Sequence, residues 1–316
     1  MDISIVIPLY NEEKSLPELT AWIKRVVDAH QLRCEVIMVD DGSTDGSWST
    51  VQQLSKVYGE MVRGIRFQHN YGKSAALFCG FEMAQGAVVV TMDADLQDSP
   101  DELPELYRMV QAEGYDVVSG WKKKRYDPLG KRLPSKLYNA TVRRITGIKL
   151  HDFNCGLKAY KKKVVKSIEV FGDMHRYIPV LAKQAGFRKI GEKVVQHRAR
   201  KYGESKFGWQ RLLTGSLDLL SVLFLTKFGK KPMHFFGVLG TLMFLIGLAM
   251  AIYLGASKIY RINHSLPATL ITSSPYFYID LTVMIMGTLL FLSGYLGELI
   301  VRNAGDRNQY TVEEKF

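Results

Sequence analysis

A chain of 316 residues has room for one large domain with additions, and its 42 Lys and Arg against 31 Asp and Glu leave a net charge of +11. That excess suits an acidic partner such as nucleic acid, anionic lipid or a phosphorylated substrate, but no basic stretch with interleaved aromatics supports nucleic acid. Cys34, Cys79 and Cys155 exclude, by number and spacing, a disulfide framework or a cysteine metal site, and they suit a reducing compartment.

In chain order, the short β-branched runs "ISIVIP", "CEVIMVD", "GAVVVTMD" and "YDVVSG" alternate with helical stretches over residues 1 to about 200. This alternation predicts an α/β unit with a mostly parallel sheet and crossover helices. The first run is too short for a signal peptide and has no basic region ahead of it. Ser15 with Glu18, and Ser99-Pro100 with Glu102, fit capping boxes at helix starts.

Ligands of such sheets gather where loops leave the carboxyl ends of strands. "VDDGSTDGS" follows the second run, and Asp45 and Ser47 there read as turn and cap residues. "NYGKSAAL" at 70–77 has one glycine and the wrong spacing for a phosphate-binding P-loop. "TMDADLQDSP" at 91–100 crowds Asp93, Asp95 and Asp98 beside Gln97. Carboxylates one residue apart cannot pair with each other. Hard oxygen donors in this pattern suit Mg2+ or Mn2+, which commonly also bind substrate phosphates, and Gln97 offers a third ligand; a solvated acidic turn is the alternative.

"WKKKRYDPLGKRLPSKLYNATVRR", 121–144, is dense in Lys and Arg, and Lys122, Lys123 and Lys161 to Lys163 read as a solvated or lipid-facing surface. Further on, "FGWQRLLTGSLDLLSVLFLTKF" sets Gln210, Thr214, Asp218 and Ser221 on one helical face and Leu213, Leu217, Leu220 and Phe224 on another. It reads as an amphipathic helix at the membrane surface, over 209–228. Residues 235–254 are twenty without a charge, a membrane span by length. A second span, about 276–300, has seventeen uncharged residues between Asp280 and Glu298, with Tyr276 and Tyr278 at one end. Both fall within 229–303, ahead of a tail at 304–316. Lys227, Lys230 and Lys231 before the spans and Arg302 and Arg307 after them favour a cytoplasmic catalytic domain, against Lys258 and Arg261 in the loop. Gly247, Ala251 and Gly255 form a small-residue stripe that suits pairing of the spans or a homo-oligomer.

"VIPLYNEE" at 6–13, "VDDGSTD" at 39–45, "GKSAAL" at 72–77 and "DADLQDSPDEL" at 93–103, in this order, resemble the family-2 glycosyltransferases of GT-A fold. The branch they resemble is that of dolichyl-phosphate mannose synthase and the bacterial two-span polyprenyl-phosphate glycosyltransferases. The resemblance covers 1–208 and implies a cytosolic GT-A catalytic domain there, Rossmann-like with a mostly parallel sheet. By it, Pro8, Tyr10, Glu12, Asp40 and Asp93 line the nucleotide pocket with Asp41 near it, and Asp93, Asp95 and Gln97 hold Mg2+ or Mn2+. "HDFNCGLKAY" at 151–160 resembles the family's "D-x-x-S-G-F-R" segment, which implies Asp152 as catalytic base, although Cys155 stands for Ser and Leu157-Lys158 for Phe-Arg. "RKYGESKF" at 200–207 matches "R-x-x-G-x-S-K", which implies Arg200 and Lys206 on the acceptor phosphate, with Arg125 and Arg132 joining them. "HRYIPVLAKQAGF" at 175–187 resembles a helix near the acceptor site, where Arg176 is a candidate phosphate contact and His175 reads first as structural.

The expectation is therefore an inverting, metal-dependent hexosyltransferase that moves a sugar from a UDP- or GDP-sugar to polyprenyl phosphate. Glucose is the preferred sugar, with mannose from GDP-mannose as the alternative. The expected location is the cytosolic face of the membrane, the inner membrane if bacterial. A processive polysaccharide synthase is disfavoured, because none of Trp22, Trp48, Trp121 and Trp209 sits in a "Q-x-x-R-W" motif. A non-catalytic, membrane-anchored lipid-binding protein is the other rival.

Overall fold

A computed structural model describes residues 1–123, 139–172, 174–198, 201–202, 224, 228, 231–267 and 269–303, with residues 302 and 303 described by backbone alone. The chain divides into two compact units, Met1–Leu223 and Phe224–Phe316.

The first unit alternates β1 (Ile3–Leu9), α1 (Leu16–Ala29), β2 (Cys34–Asp40), α2 (Ser47–Tyr58), β3 (Val62–Arg66), α3 (Lys73–Met83), β4 (Val88–Thr91), α4 (Leu103–Gln111) and β5 (Val117–Trp121). It continues with α5 (139–146), β6 (Lys158–Lys161), α6 (Lys162–Lys166), α7 (Ile178–Gln184) and β7 (Ile190–Val194). The seven strands form one sheet in the order β3-β2-β1-β4-β6-β5-β7. β1 to β4 are mutually parallel, and β6 is inserted antiparallel between β4 and β5. Four of the strands match the expected runs. β3, β6 and β7 are additional, and their sequences "VRGIR", "KAYK" and "IGEKV" lack the long apolar character of a central strand.

Both faces of β1 are buried, which is why its sequence is apolar throughout. Ile3, Ile5 and Ile7 pack in one core with Leu19 and Ile23 of α1, Val51 of α2 and Leu106 of α4. Val6, on the opposite face, packs with Ile37, Leu77 and Phe81 of α3 and Val164 of α6. The two expected capping boxes do not form. Ser15 Oγ donates instead to the Glu12 carbonyl at 2.9 Å, and Glu18 pairs with Lys201 at 2.7 Å. Ser99 Oγ donates to Asp101 at 3.1 Å, and Glu102 is taken by Lys193 and by the Gln196 amide. Long-range partners outcompeted the local caps at both sites.

In the second unit α8 (Pro232–Asn263) and α9 (Pro275–Asn303) are long and apolar enough to cross a membrane, and they extend beyond the spans read from composition. They pack antiparallel through glycines: a Cβ on Gly240 would fall 2.5 Å from the Gly287 carbonyl oxygen, and one on Gly294 3.0 Å from the Gly237 amide. The expected stripe is displaced. Gly247 meets Met284 and Asp280, whereas Gly255 meets nothing within 4 Å. The amphipathic helix at 209–228, except residues 224 and 228, and the tail at 304–316 lie outside the described residues.

Glu35 anchors the amino-terminal edge of β2 from a nearly sealed position, with its side chain 1% exposed. It accepts hydrogen bonds from Ser4 Oγ at 2.6 Å, the Gln85 amide at 2.7 Å and Arg63 at 3.1 Å. Burial pushes its carboxyl up, but these donors outweigh it and the net direction is down. A lowered folded-state pKa contributes stability above the ordinary glutamate range near pH ~4.3, and that stability is lost as pH falls through the folded value. Glu35→Gln is expected to cost about 1–3 kcal/mol at pH 7. The gap in melting temperature to wild type should close below pH ~4; a gap unchanged by acid would refute this account.

Candidate active site

β1, β2 and β4 run parallel and side by side, so their carboxyl ends open at one edge of the sheet. The chain order reverses between β1 and β4, the switch point where α/β sheets form a crevice. Three of the motif segments emerge there.

After β1, Pro8 lies opposite Val39 and Leu9 opposite Asp40 in the ladder. Asn11 takes a left-handed φ of 57°. Its amide donates to Ser43 Oγ and the Glu12 amide to Ser47 Oγ, both at 2.9 Å, which ties the 10–13 loop to the loop after β2. Tyr10 and Glu12 are half-buried beside it. Asp40, fully buried, accepts the Ser43 amide at 2.9 Å and approaches Arg66 at 3.7 Å. Asp41 accepts the amides of Tyr71 at 2.7 Å and Gly72 at 3.0 Å, which braces the approach to α3. Burial and the neighbouring Asp40 push its carboxyl up against these bonds. Gly42 is needed here, at φ +72°, because a Cβ would lie 2.5 Å from the His69 carbonyl carbon. Asp45 caps Ser47 as expected, its Oδ1 accepting the Ser47 amide at 3.0 Å.

The carboxylates after β4 are met by lysines from three separate segments. Lys73, first residue of α3, is paired with Asp93. Lys122, at the end of β5, pairs with Asp98 at 2.7 Å, with side chains 13% and 0% exposed. Lys158 of β6 is buried, donates to the Cys155 carbonyl and acts on Asp93 from nearby. Burial alone would raise the Asp93 carboxyl, but Lys73, Lys122 and Lys158 hold it well below the usual carboxylate range. Asp98 is pushed the other way by burial and by Asp93 and Asp95, with Lys122 opposing. Lys122 is thus no surface cation, contrary to the reading of its basic run: it sits against the acidic turn, a contact no sequence pattern announces.

Asp95 is 8% exposed and accepts the Gln97 amide at 3.2 Å, and Leu96 between them is left-handed at φ 61°. Gln97 Nε2 reaches the Arg198 carbonyl at 3.4 Å, while Asp98 bridges His197. The Arg198 guanidinium lies 4.1 Å from the Trp22 ring centre. Among the described residues no three His, Cys, Asp or Glu side chains converge as a metal cage. The donors present nonetheless fit Mg2+ or Mn2+ completed by substrate phosphates. Magnesium is usually held by one or two carboxylates with waters and phosphates, and here an ionised Asp93 already carries a cation, the Lys73 ammonium.

Asp152 is 1% exposed at the β5 and β7 side of the same edge. Its Oδ1 accepts the Asn154 amide at 3.1 Å, its carbonyl accepts Ser119 Oγ at 3.2 Å and its amide donates to Glu192 at 3.2 Å. Glu192 also holds His151 at 2.7 Å, whose ring stacks on Trp121. Burial pushes the Cys155 thiol up to about 12, which makes it inert. Arg125, Arg132, Arg200 and Lys206 lie outside the described residues.

This edge, with its braced loops and its acidic turn, belongs to a GT-A-like fold. The chain belongs to glycosyl transferase family 2, whose model matches residues 4–169, and it is a glycosyltransferase. It is 34% identical over 304 residues to a dodecaprenyl-phosphate galacturonate synthase of Rhizobium johnstonii, covering 96% of this chain and 88% of that protein. It is 38% identical to an undecaprenyl-phosphate 4-deoxy-4-formamido-L-arabinose transferase of Pseudomonas aeruginosa, covering 80% of this chain and 72% of that one. Among solved structures, it resembles glucosyl-3-phosphoglycerate synthase of Mycobacterium tuberculosis with UDP, at TM-score 0.55 and 21% identity, covering 71% of this chain and 79% of that chain. The same enzyme with Mn2+ and UDP-glucose matches at TM-score 0.55 and 20% identity, covering 71% and 78%.

Gly156 lies directly behind Asp93, and a Cβ there would overlap the Asp93 carboxylate. Gly156→Ala is expected to lower kcat/KM at least tenfold, about 1.4 kcal/mol, with the melting temperature little changed. Steady-state kinetics beside thermal melts check this; wild-type kinetics would mean that the Asp93 position does not matter.

Proposed function

We propose that this enzyme transfers a glycosyl group from a nucleotide-sugar to the phosphate of a polyprenol, with inversion, at the cytosolic face of a membrane. The observation that carries this reading is the match over 304 residues, through both apolar helices, to a relative named for a polyprenyl-phosphate acceptor. An anchored active site also fits a lipid acceptor physically. Confining it to the leaflet that holds the acceptor replaces a three-dimensional search by local encounter. The reading makes 1–208 the cytosolic catalytic domain, α8 and α9 a two-pass anchor, and 209–228 a surface helix.

In the transfer, an acceptor phosphate oxygen attacks the anomeric carbon as that carbon's bond to the donor's β-phosphate oxygen breaks. The leaving nucleoside diphosphate takes the bonding electron pair. Pro8, Tyr10, Glu12, Asp40 and Asp41 would hold the nucleotide, and Asp93 and Asp95, with the Gln97 amide oxygen, a divalent cation. That cation, when bound, offsets charge on the leaving diphosphate. Arg125, Arg132, Arg200 and Lys206 would meet the acceptor's phosphates, where arginine grips phosphate bidentately.

Asp152 would orient the acceptor or take its last proton. The second pKa of a phosphate monoester is near ~6, so at neutral pH the acceptor needs little deprotonation. Asp152→Asn should therefore lose most activity near pH ~5.5 and less near pH ~8 if proton removal is its role. Near-normal turnover throughout would remove Asp152 from the chemistry.

For the donor, glucose is the first arm. Relatives named for galacturonate and for 4-deoxy-4-formamido-L-arabinose make those two sugars the next. Purified protein with Mn2+ or Mg2+ and polyprenyl phosphate should move label from one nucleotide-sugar of this panel, which includes GDP-mannose, into organic-extractable lipid. Chelator or Asp95→Ala should abolish transfer. No labelled lipid from any donor, with folded protein, would sink this reading.

A further inference from the structure

Asp152 sits in a stretch, residues 151–154, that belongs to no helix or strand, so no regular ladder holds its backbone. Side chains hold it instead. The amides of His151 and Asp152 donate to Glu192 Oε1 at 2.6 and 3.2 Å, that of Phe153 to Asn139 Oδ1 at 3.3 Å and that of Asn154 to Asp152 Oδ1 at 3.1 Å. Glu192, on β7, takes two of these four consecutive amides.

Strand register explains why. β5 and β7 pair in parallel with Ser119 opposite Glu192, and residues opposite each other in a ladder present their side chains to the same face of the sheet. From that face Ser119 Oγ donates to the Asp152 carbonyl at 3.2 Å, while Glu192 accepts the Asp152 amide. The pair therefore grips the peptide planes on both sides of the Asp152 Cα. A residue has two soft backbone torsions, so holding both planes holds both torsions. The Asn154 amide on Oδ1 then restrains the carboxylate itself. Glu192 Oε2 serves the same loop, 2.7 Å from His151 Nδ1. With its side chain 12% exposed, Glu192 has no Lys or Arg partner among the described residues. An enclosed carboxylate needs donors, and those it has come from residues 151 and 152.

We propose that Glu192 is a positioning residue for the transfer, acting with Ser119 to aim the Asp152 carboxylate at the acceptor. This rests on the reading that Asp152 orients the acceptor or takes its last proton. It adds two residues from outside the motif segments, and Glu192 lies beyond the 4–169 stretch that the family model matches. Aim matters because a group displaced by about 1 Å from its reacting geometry can lose roughly a hundredfold in rate. A loop without its own ladder keeps that precision only if a rigid element lends it partners, and the β5–β7 ladder does so here.

The test uses the full chain in detergent, polyprenyl phosphate and the nucleotide-sugar of the panel above that labels lipid. Single-turnover transfer with enzyme in excess keeps slow variants measurable. Glu192→Ala should slow transfer by about tenfold or more, and Glu192→Gln should recover most of the loss, because its amide oxygen can still accept both amides. In an Asp152→Asn background the same Glu192→Ala change should cost less than about twofold, since it acts through a carboxylate already removed. Between pH ~5.5 and ~8 the Glu192→Ala profile should follow the shape of the Asp152→Asn profile. Ser119→Ala, which removes one hydroxyl, should show the same non-additivity and keeps the test open if Glu192→Ala does not fold. An equal loss from Glu192→Ala in both backgrounds, or a wild-type rate for Glu192→Ala, would overturn the positioning role and leave the Asp152 reading standing. Normal turnover by Asp152→Asn would remove that reading, and the clamp with it.

Discussion

Crowded carboxylates at the end of a buried strand are the constraint around which this catalytic unit is arranged. Two unit charges 4 Å apart interact by roughly 4 kcal/mol at an effective dielectric of 20, so Asp93, Asp95 and Asp98 cannot all stay ionised unaided. The fold answers with Lys73, Lys122 and Lys158, brought from α3, the end of β5 and β6. Each arrives from a different element. The antiparallel insertion of β6 between β4 and β5 is what sets Lys158 and the 151–157 segment against the acidic turn. Sheet order and site electrostatics are therefore one problem with one solution.

The same edge shows how loops are held still without losing their side chains to structure. Asp41 spends its carboxylate on the backbone of residues 71 and 72, and Ser43 and Ser47 take the amides of Asn11 and Glu12. These bonds link the segments after β1, after β2 and before α3 into one frame. A rigid scaffold that presents reactive groups on braced loops is the common arrangement for binding and catalysis. The left-handed backbone at Asn11 falls within that frame, where strain is tolerated because the surroundings over-determine it.

The hairpin of α8 and α9 follows a different physics. Its outward residues are large and apolar, among them Leu242, Leu245, Ile252, Leu289 and Leu292, while its seam is glycine. In a bilayer, apolar side chains gain nothing by leaving lipid for a neighbouring helix, so association depends on close backbone packing. Glycines at 237, 240, 287 and 294 permit that approach.

Much was legible in one dimension because it is local. Strand identity in β1, β2, β4 and β5 follows from apolar runs, the two spans from length and charge, and the acidic turn from three aspartates within six residues. β3, β6 and β7 were missed because edge and inserted strands need no long apolar run, and the capping boxes failed because distant partners claimed Glu18 and Glu102. The sequence by itself determined the family, the unit that carries the chemistry and the residues that emerge at strand ends. Only the tertiary structure decided which cation answers which carboxylate, that Lys122 is buried on Asp98, and that Arg176 lines one cleft with Lys73 and Lys158. The reason is that Coulomb interactions act through space, and residues 20 to 100 positions apart become neighbours only when the sheet is assembled.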